Sequence, residues 1–205
     1  KTFVLKQTNG PLISILNSPL LWWHNWRYLP HMKDEALSPM GFKMEHLPIA
    51  SMNSRGVDQE ARLSSSLISK TKDQQQTVTA VKDWLRHEFG IEKIKGSLAS
   101  PVSLGAGEFV DAVRASLARG RKLTAADISE LKREHSASIE PARVVRAEIL
   151  ALERQVSDLV NEAYGLTPEE VSLMWHTAPP RMPFTPTGLN DTEEVPLDDE
   201  PDDEA

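Results

Sequence analysis

Cysteine is absent from the 205 residues, which excludes a disulfide framework and any Cys-ligated zinc site. Nothing points to an oxidising compartment, so the cytoplasm is expected. Long hydrophobic runs are missing too. No stretch approaches the roughly 20 apolar residues that a membrane-spanning helix needs, and the opening Lys-Thr-Phe-Val-Leu lacks the apolar core of a signal peptide. Because the chain starts on Lys1 in an extended-looking segment, it is expected to be a piece of a longer polypeptide. Catalytic signatures are also lacking: there is no G-x-S-x-G, no H-E-x-x-H, no G-x-x-x-x-G-K-[ST], and no compact acid pair in an apolar setting. No catalytic residue is therefore assigned.

Basic residues are missing from one end. Nine of the thirty acids fall in residues 190–205, which hold no Lys or Arg, leaving twenty-one acids against twenty-three bases elsewhere. The body is thus mildly basic, although the whole chain carries a net charge of -7. The acidic end has two prolines and no aromatic residue. It cannot bury enough apolar surface to offset its ordering entropy, and disorder is expected there.

The rest reads as mainly α, with a small α/β part at the N-terminus and a helical bundle or coiled-coil-like set of helices after it. Three regions are expected: 1–56 of mixed character, 57–189 helical, and the acidic tail 190–205. In the first, residues 3–5 look extended, and Asn9-Gly10-Pro11 starts a short helix. Ser18 caps a second one, with Pro19 at its first position and its end near Tyr28. Residues 41–47 alternate Phe42, Met44 and His46 against Lys43 and Glu45, the pattern of a short strand.

From Val57 the period becomes helical. Leu63 and Leu67, then Val78, Val81 and Leu85, share a face up to the stop at Phe89-Gly90. Residues 70–76 are polar all round, either an exposed span or a break. A linker over 91–107 precedes an amphipathic helix over 108–118. Thr124-Ala-Ala-Asp127 resembles a capping box, and Pro141 either kinks that helix or starts the next. After it, Val145, Ile149, Leu152, Val156, Leu159 and Ala163 form a heptad seam. Thr167 and Pro168 start a last helix, to about His176.

Three of the five tryptophans crowd into residues 22–26. On one helix Trp22 and Trp26 share a face, whereas Trp23 and Arg27 share the adjacent one. The first pair is assigned to the core. Trp23, Arg27, Lys33 and Lys43 are the candidates for nucleic-acid contact, because a base can stack on an aromatic ring beside cations that meet phosphates. Arg119, Arg121 and Lys122 form a second basic cluster, which reads equally well as a solvated turn facing a helix C-terminus. His24 and His31 lie about two helical turns apart, too far to share a metal ion. His87 and His135 fall among Glu and Arg and read as solvated. Gly105-Ala-Gly107 reads as a plain loop leading into a helix, not an anion cradle.

Two stretches resemble a known family. "LISILNSPLLWWHNWRYLP" followed by "GFKMEHLPIA" resembles the target-recognition region near the C-terminus of adenine-specific DNA methyltransferases of the Eco57I and TaqI type. There an L-x-x-I-L-N-S helix is followed by an aromatic strand ending L-P-I-P. Leu12, Ile15, Leu16, Asn17 and Ser18 match the first element; Phe42, Leu47, Pro48 and Ile49 match the second, and Ala50 departs from the final proline. "LERQVSDLVNEAYGLTPEEVSLMW" is similar to the helical ending of large restriction-modification methylases, with Asp158, Leu159, Val160, Tyr164, Gly165, Leu166, Thr167, Glu169 and Glu170 on its D-L-V-x-x-x-Y-G-L-T-x-E-E core.

The resemblance implies that residues 1–56 are part of a target-recognition region, that the partner is double-stranded DNA, and that an upstream domain of the same polypeptide carries the catalytic N-P-P-Y/F motif and S-adenosylmethionine. This segment itself would bind no cofactor and no metal. The alternative reading is a non-catalytic helical module whose 145–163 seam pairs with the 63–85 face or with another protein.

Overall fold

A computed structural model describes residues 10–33, 36–38, 40–118 and 120–184. The expected extended start at 3–5, the acidic tail and Arg119 lie outside the described residues. The fold is mainly α. Helices α1 (Gly10–Leu16), α2 (Pro19–Tyr28) and α3 (Gly41–Glu45) make the N-terminal part. They are followed by α4 (Ser54–Phe89), α5 (Ala106–Ser116), α6 (Ala125–Glu134), α7 (Glu140–Ala163) and α8 (Pro168–His176).

The joint between α1 and α2 follows directly from its sequence. Ser18 Oγ accepts from the Leu21 amide at 3.1 Å and donates to the Ile15 carbonyl at 2.7 Å. One hydroxyl thus satisfies the last turn of one helix and the first turn of the next, while Pro19 occupies a position where no N–H is needed. Residues 41–47 do not form the expected strand. Residues 41–45 are the helix α3, and β structure among the described residues is one isolated antiparallel bridge, His31 to Leu37. A strand needs a neighbour for its backbone groups, and among the described residues none lies alongside; Phe42 is 60% exposed.

Helix α4 has 36 residues, roughly 54 Å at 1.5 Å per residue. Asn53 caps its start, accepting from the Gly56 amide at 2.8 Å. Gly90 ends it at φ 63°, a left-handed conformation that favours glycine. The polar stretch 70–76 stays helical because α7 runs antiparallel beside it. Lys70 pairs with Glu148 at 2.5 Å, and Gln74 donates to the Ala142 carbonyl at 3.2 Å. The heptad seam faces the same partner, with Ile149, Val156 and Leu159 buried. The seam is therefore used within the chain.

A core sits at each end of this helix pair. At the α4 C-terminal end, Val81, Leu85 and Phe89 pack with Phe109, Val110 and Val113 of α5, Leu131 of α6, and Ile139. The 91–107 stretch is more than a linker: its two 3-10 turns bury Leu98, Pro101 and Val102. At the other end, Ile15, Leu21 and Val160 join α1 and α2 to α7. Burial of each such side chain contributes about 1.5–3 kcal/mol.

Between α6 and α7 the chain makes a π-helical turn, His135–Ile139. The wide turn lets Pro141, which has no N–H and would clash with the preceding turn, enter near the start of α7 without a chain reversal. His135 is not solvated as expected: it is 3% exposed, and its Nε2–H donates to the Leu104 carbonyl at 2.9 Å. The bend places it inward, against Phe109. His87 is exposed, as its surroundings imply.

Candidate functional site

The tryptophan-rich helix α2 is held by the segment that follows α8. Trp23 Nε1–H donates to Thr177 Oγ1 at 2.9 Å, and Trp22 Nε1–H donates to the Pro180 carbonyl at 3.0 Å. Arg27 donates to the carbonyls of Trp23, at 3.0 Å, and Thr177, at 2.9 Å. Its guanidinium lies 3.8 Å from the Trp23 ring centroid. The i, i+4 spacing of Trp23 and Arg27 makes this stack possible. The expected split into core and exposed tryptophans is not found: Trp22, Trp23 and Trp26 are all half-buried, and it is Leu21, just before them, that enters the core. No tryptophan at this site is enclosed, because the helix has one buried side and two aromatic faces.

Lys43 is exposed in part and donates to the Tyr28 carbonyl at 2.5 Å, at the C-terminal end of α2. Lys33 is exposed nearby in sequence. Arg121 binds a different place. Its guanidinium donates to the Phe89 carbonyl at 2.7 Å and the Glu88 carbonyl at 3.0 Å, capping the last turn of α4, where a cation is favoured by the helix dipole. Lys122 beside it is exposed. The two basic groups are not one surface. Arg121 is tied to the Phe89 end of α4, whereas Arg27 and Lys43 bond Thr177 and the C-terminal end of α2.

Tyr164, at the end of α7, donates to the Pro48 carbonyl at 2.6 Å. Burial raises its phenol above the ordinary value, opposed by a hydrogen bond from the Ala50 backbone. This single side chain joins the "HLPIA" turn to the "YGLT" turn.

Sequence reasoning missed Glu60. It is fully buried, and one carboxylate oxygen accepts from Ser14 Oγ at 2.5 Å and from Ser64 Oγ at 2.7 Å. The other oxygen, Oε2, has no partner. The signal was present: Glu60 precedes Leu63 by three and Leu67 by seven, which puts it on the inward stripe of α4. It borders a cavity of about 320 Å³ between α1, α4 and α7. Glu153, at the same cavity, is held above the usual carboxylate range by desolvation, partly opposed by Arg146.

At the Gly105-Ala-Gly107 loop the Gly105 amide donates to the Glu108 carboxylate at 2.8 Å, so an acidic side chain of the protein already caps this helix start. Among the described residues, no three His, Asp or Glu side chains are arranged to hold a metal ion, and no helix is long and apolar enough to cross a membrane.

The architecture is thus a long antiparallel helix pair with a core at each end. The family model described as "Domain of unknown function (DUF8810)" matches residues 57–160, about half the chain, and the chain belongs to that family. The match runs from the first turn of α4 to near the end of α7 and leaves α1–α3 and α8 outside it. No curated protein and no solved structure matches the chain.

Proposed function

We propose that this chain is the C-terminal, target-recognising part of a site-specific adenine-N6 DNA methyltransferase of a restriction-modification or phage-defence system. Its partners on this reading are double-stranded DNA and an upstream catalytic domain of the same polypeptide. S-adenosylmethionine belongs to that upstream domain. The adenine is flipped from the duplex into the catalytic domain, while this part holds the flanking DNA.

The observation that carries the reading is the Tyr164 to Pro48 hydrogen bond. The two stretches that resemble methyltransferase sequences lie more than a hundred residues apart, yet they meet in one joint. Lys33 and Lys122, one in each basic group, are exposed and able to meet phosphates.

The test is fluorescence anisotropy of a labelled 30-base-pair duplex with the chain between 50 and 200 mM salt. Binding to phosphates predicts affinity falling steeply with salt, and Lys33→Ala lowering the slope by about one. Binding that ignores salt, or no binding at 50 mM, would refute the reading. Independently, the reading frame upstream of Lys1 is expected to encode N-P-P-Y/F.

A further inference from the structure

We infer that residues 177–184, the segment after α8, are a cover over the tryptophan-rich face of α2, and that closing of the cover and binding of duplex DNA at Trp23 and Arg27 exclude each other. The inference rests on the DNA reading above. Trp23 gives its indole N–H to Thr177 Oγ1 and Trp22 gives its own to the Pro180 carbonyl, while Arg27 Nη2 donates to the Thr177 carbonyl. An indole has a single N–H, so neither tryptophan can donate to a phosphate while the segment is closed. The face of Trp23 under Arg27 is closed to a base as well, because the guanidinium lies 3.8 Å from the ring centroid and Thr177 holds it there. Oxygen atoms of the cover thus occupy the places that phosphate oxygens would take.

The same segment is built to come away. Its three bonds to α2 run one way: side chains of α2 donate and the segment accepts. Pro179, Pro180 and Pro183 have no N–H with which to add others. Pro179 is buried, whereas Thr177, Ala178, Pro180, Arg181 and Pro183 are exposed, which puts the segment at the low end of local stability. Arg181 adds backbone strain. Its φ is 61°, and among the described residues no other non-glycine has a positive φ; a Cβ disfavours that left-handed conformation. Beyond Phe184 the chain runs on into the nine acids that begin at Asp191, with no base among them. The cover therefore belongs to a part of the chain that has the charge sign of DNA.

Fluorescence anisotropy of a labelled duplex at about 50 mM salt, with the full chain and variants changed only in the cover, tests this. A closed cover lowers the apparent affinity in proportion to the fraction of molecules that are open. Thr177→Val removes the acceptor of Trp23 and is expected to tighten DNA binding by about two- to tenfold. Arg181→Gly and Arg181→Ala lose the same charge, but glycine relieves the strain and favours closing, so Arg181→Gly is expected to bind DNA about fivefold more weakly than Arg181→Ala. Saturating wild type with duplex is expected to speed hydrogen exchange at the Trp22 indole N–H, whose acceptor is the cover. Equal DNA binding by wild type and Thr177→Val, equal binding by the two Arg181 variants, or Trp22 exchange that duplex leaves unchanged or slows would each overturn the cover and leave the DNA reading standing. No binding of wild type would overturn the DNA reading and the cover together.

Discussion

Arg27→Ala separates the two roles that the Trp23–Arg27 pair can have. In the folded chain the guanidinium joins α2 to the segment after α8 by the hydrogen bond to Thr177 and the stack on Trp23. An exposed cation–π contact is worth about 0.5–1 kcal/mol. A net hydrogen bond from a charged donor reaches about 1.5–3 kcal/mol when buried, and solvent exposure here reduces the Thr177 contribution to about 1 kcal/mol. Together they restrain the segment by about 1–2 kcal/mol, so their loss raises local opening by about 5- to 30-fold.

The assay is limited trypsin cleavage after Arg181, an exposed residue just beyond the restrained stretch. When reclosing is fast, the cleavage rate follows the open population. Arg27→Ala is expected to raise that rate by the stated factor with little change in global melting. Arg27→Lys keeps a charge for phosphates, but its ammonium cannot reproduce the planar stack and fork, so the segment should loosen almost as much. Unchanged cleavage in both variants would refute the restraining role. A loss of DNA affinity in Arg27→Ala that Arg27→Lys restores would show the charge acting on phosphate as well.

Other expectations follow from the two cores and the buried acids. Leu85→Ala, at a side chain with 0% exposure, should cost about 2–5 kcal/mol in denaturant unfolding because a cavity remains; a cost below 1 kcal/mol would mean that this end is loosely packed. Tyr164→Phe removes the donor to Pro48 and should cost about 1 kcal/mol, with faster amide exchange in residues 47–52 as the local readout. Glu153→Gln should raise the melting temperature at pH 7 and leave it unchanged at pH 3. Desolvation raises the folded Glu153 carboxyl above its ordinary value, so the folded state holds that proton more tightly. The resulting stability is full in acid and is lost as pH rises through the folded value. An equal gain at both pH values would show that charge is not the cause.

Local chemistry made much of the fold legible from the sequence. Ser18-Pro19, Thr124 with Asp127, and Thr167-Pro168 with Glu170 start their helices as read, because a cap or a proline acts on amides within a few residues. Gly90 and the heptad seam of α7 were equally plain. Residues 41–47 were misread because alternation indicates a strand only if a sheet exists to receive it. His135 was misread because a π-turn, invisible in composition, redirects one side chain into the core.

The capped and proline-started helix ends, the apolar stripes of the long helices and the excess of acid in the tail could be read from the sequence, because each depends on neighbours within a turn or two. Long-range packing set the rest: that α4 and α7 run antiparallel, that Trp22, Trp23 and Arg27 hold the chain after α8, that Tyr164 reaches Pro48, and that Glu60 is enclosed with one oxygen unpartnered. These depend on side chains far apart in sequence, whose meeting is set by the packing of whole helices and not by the propensity of any one of them.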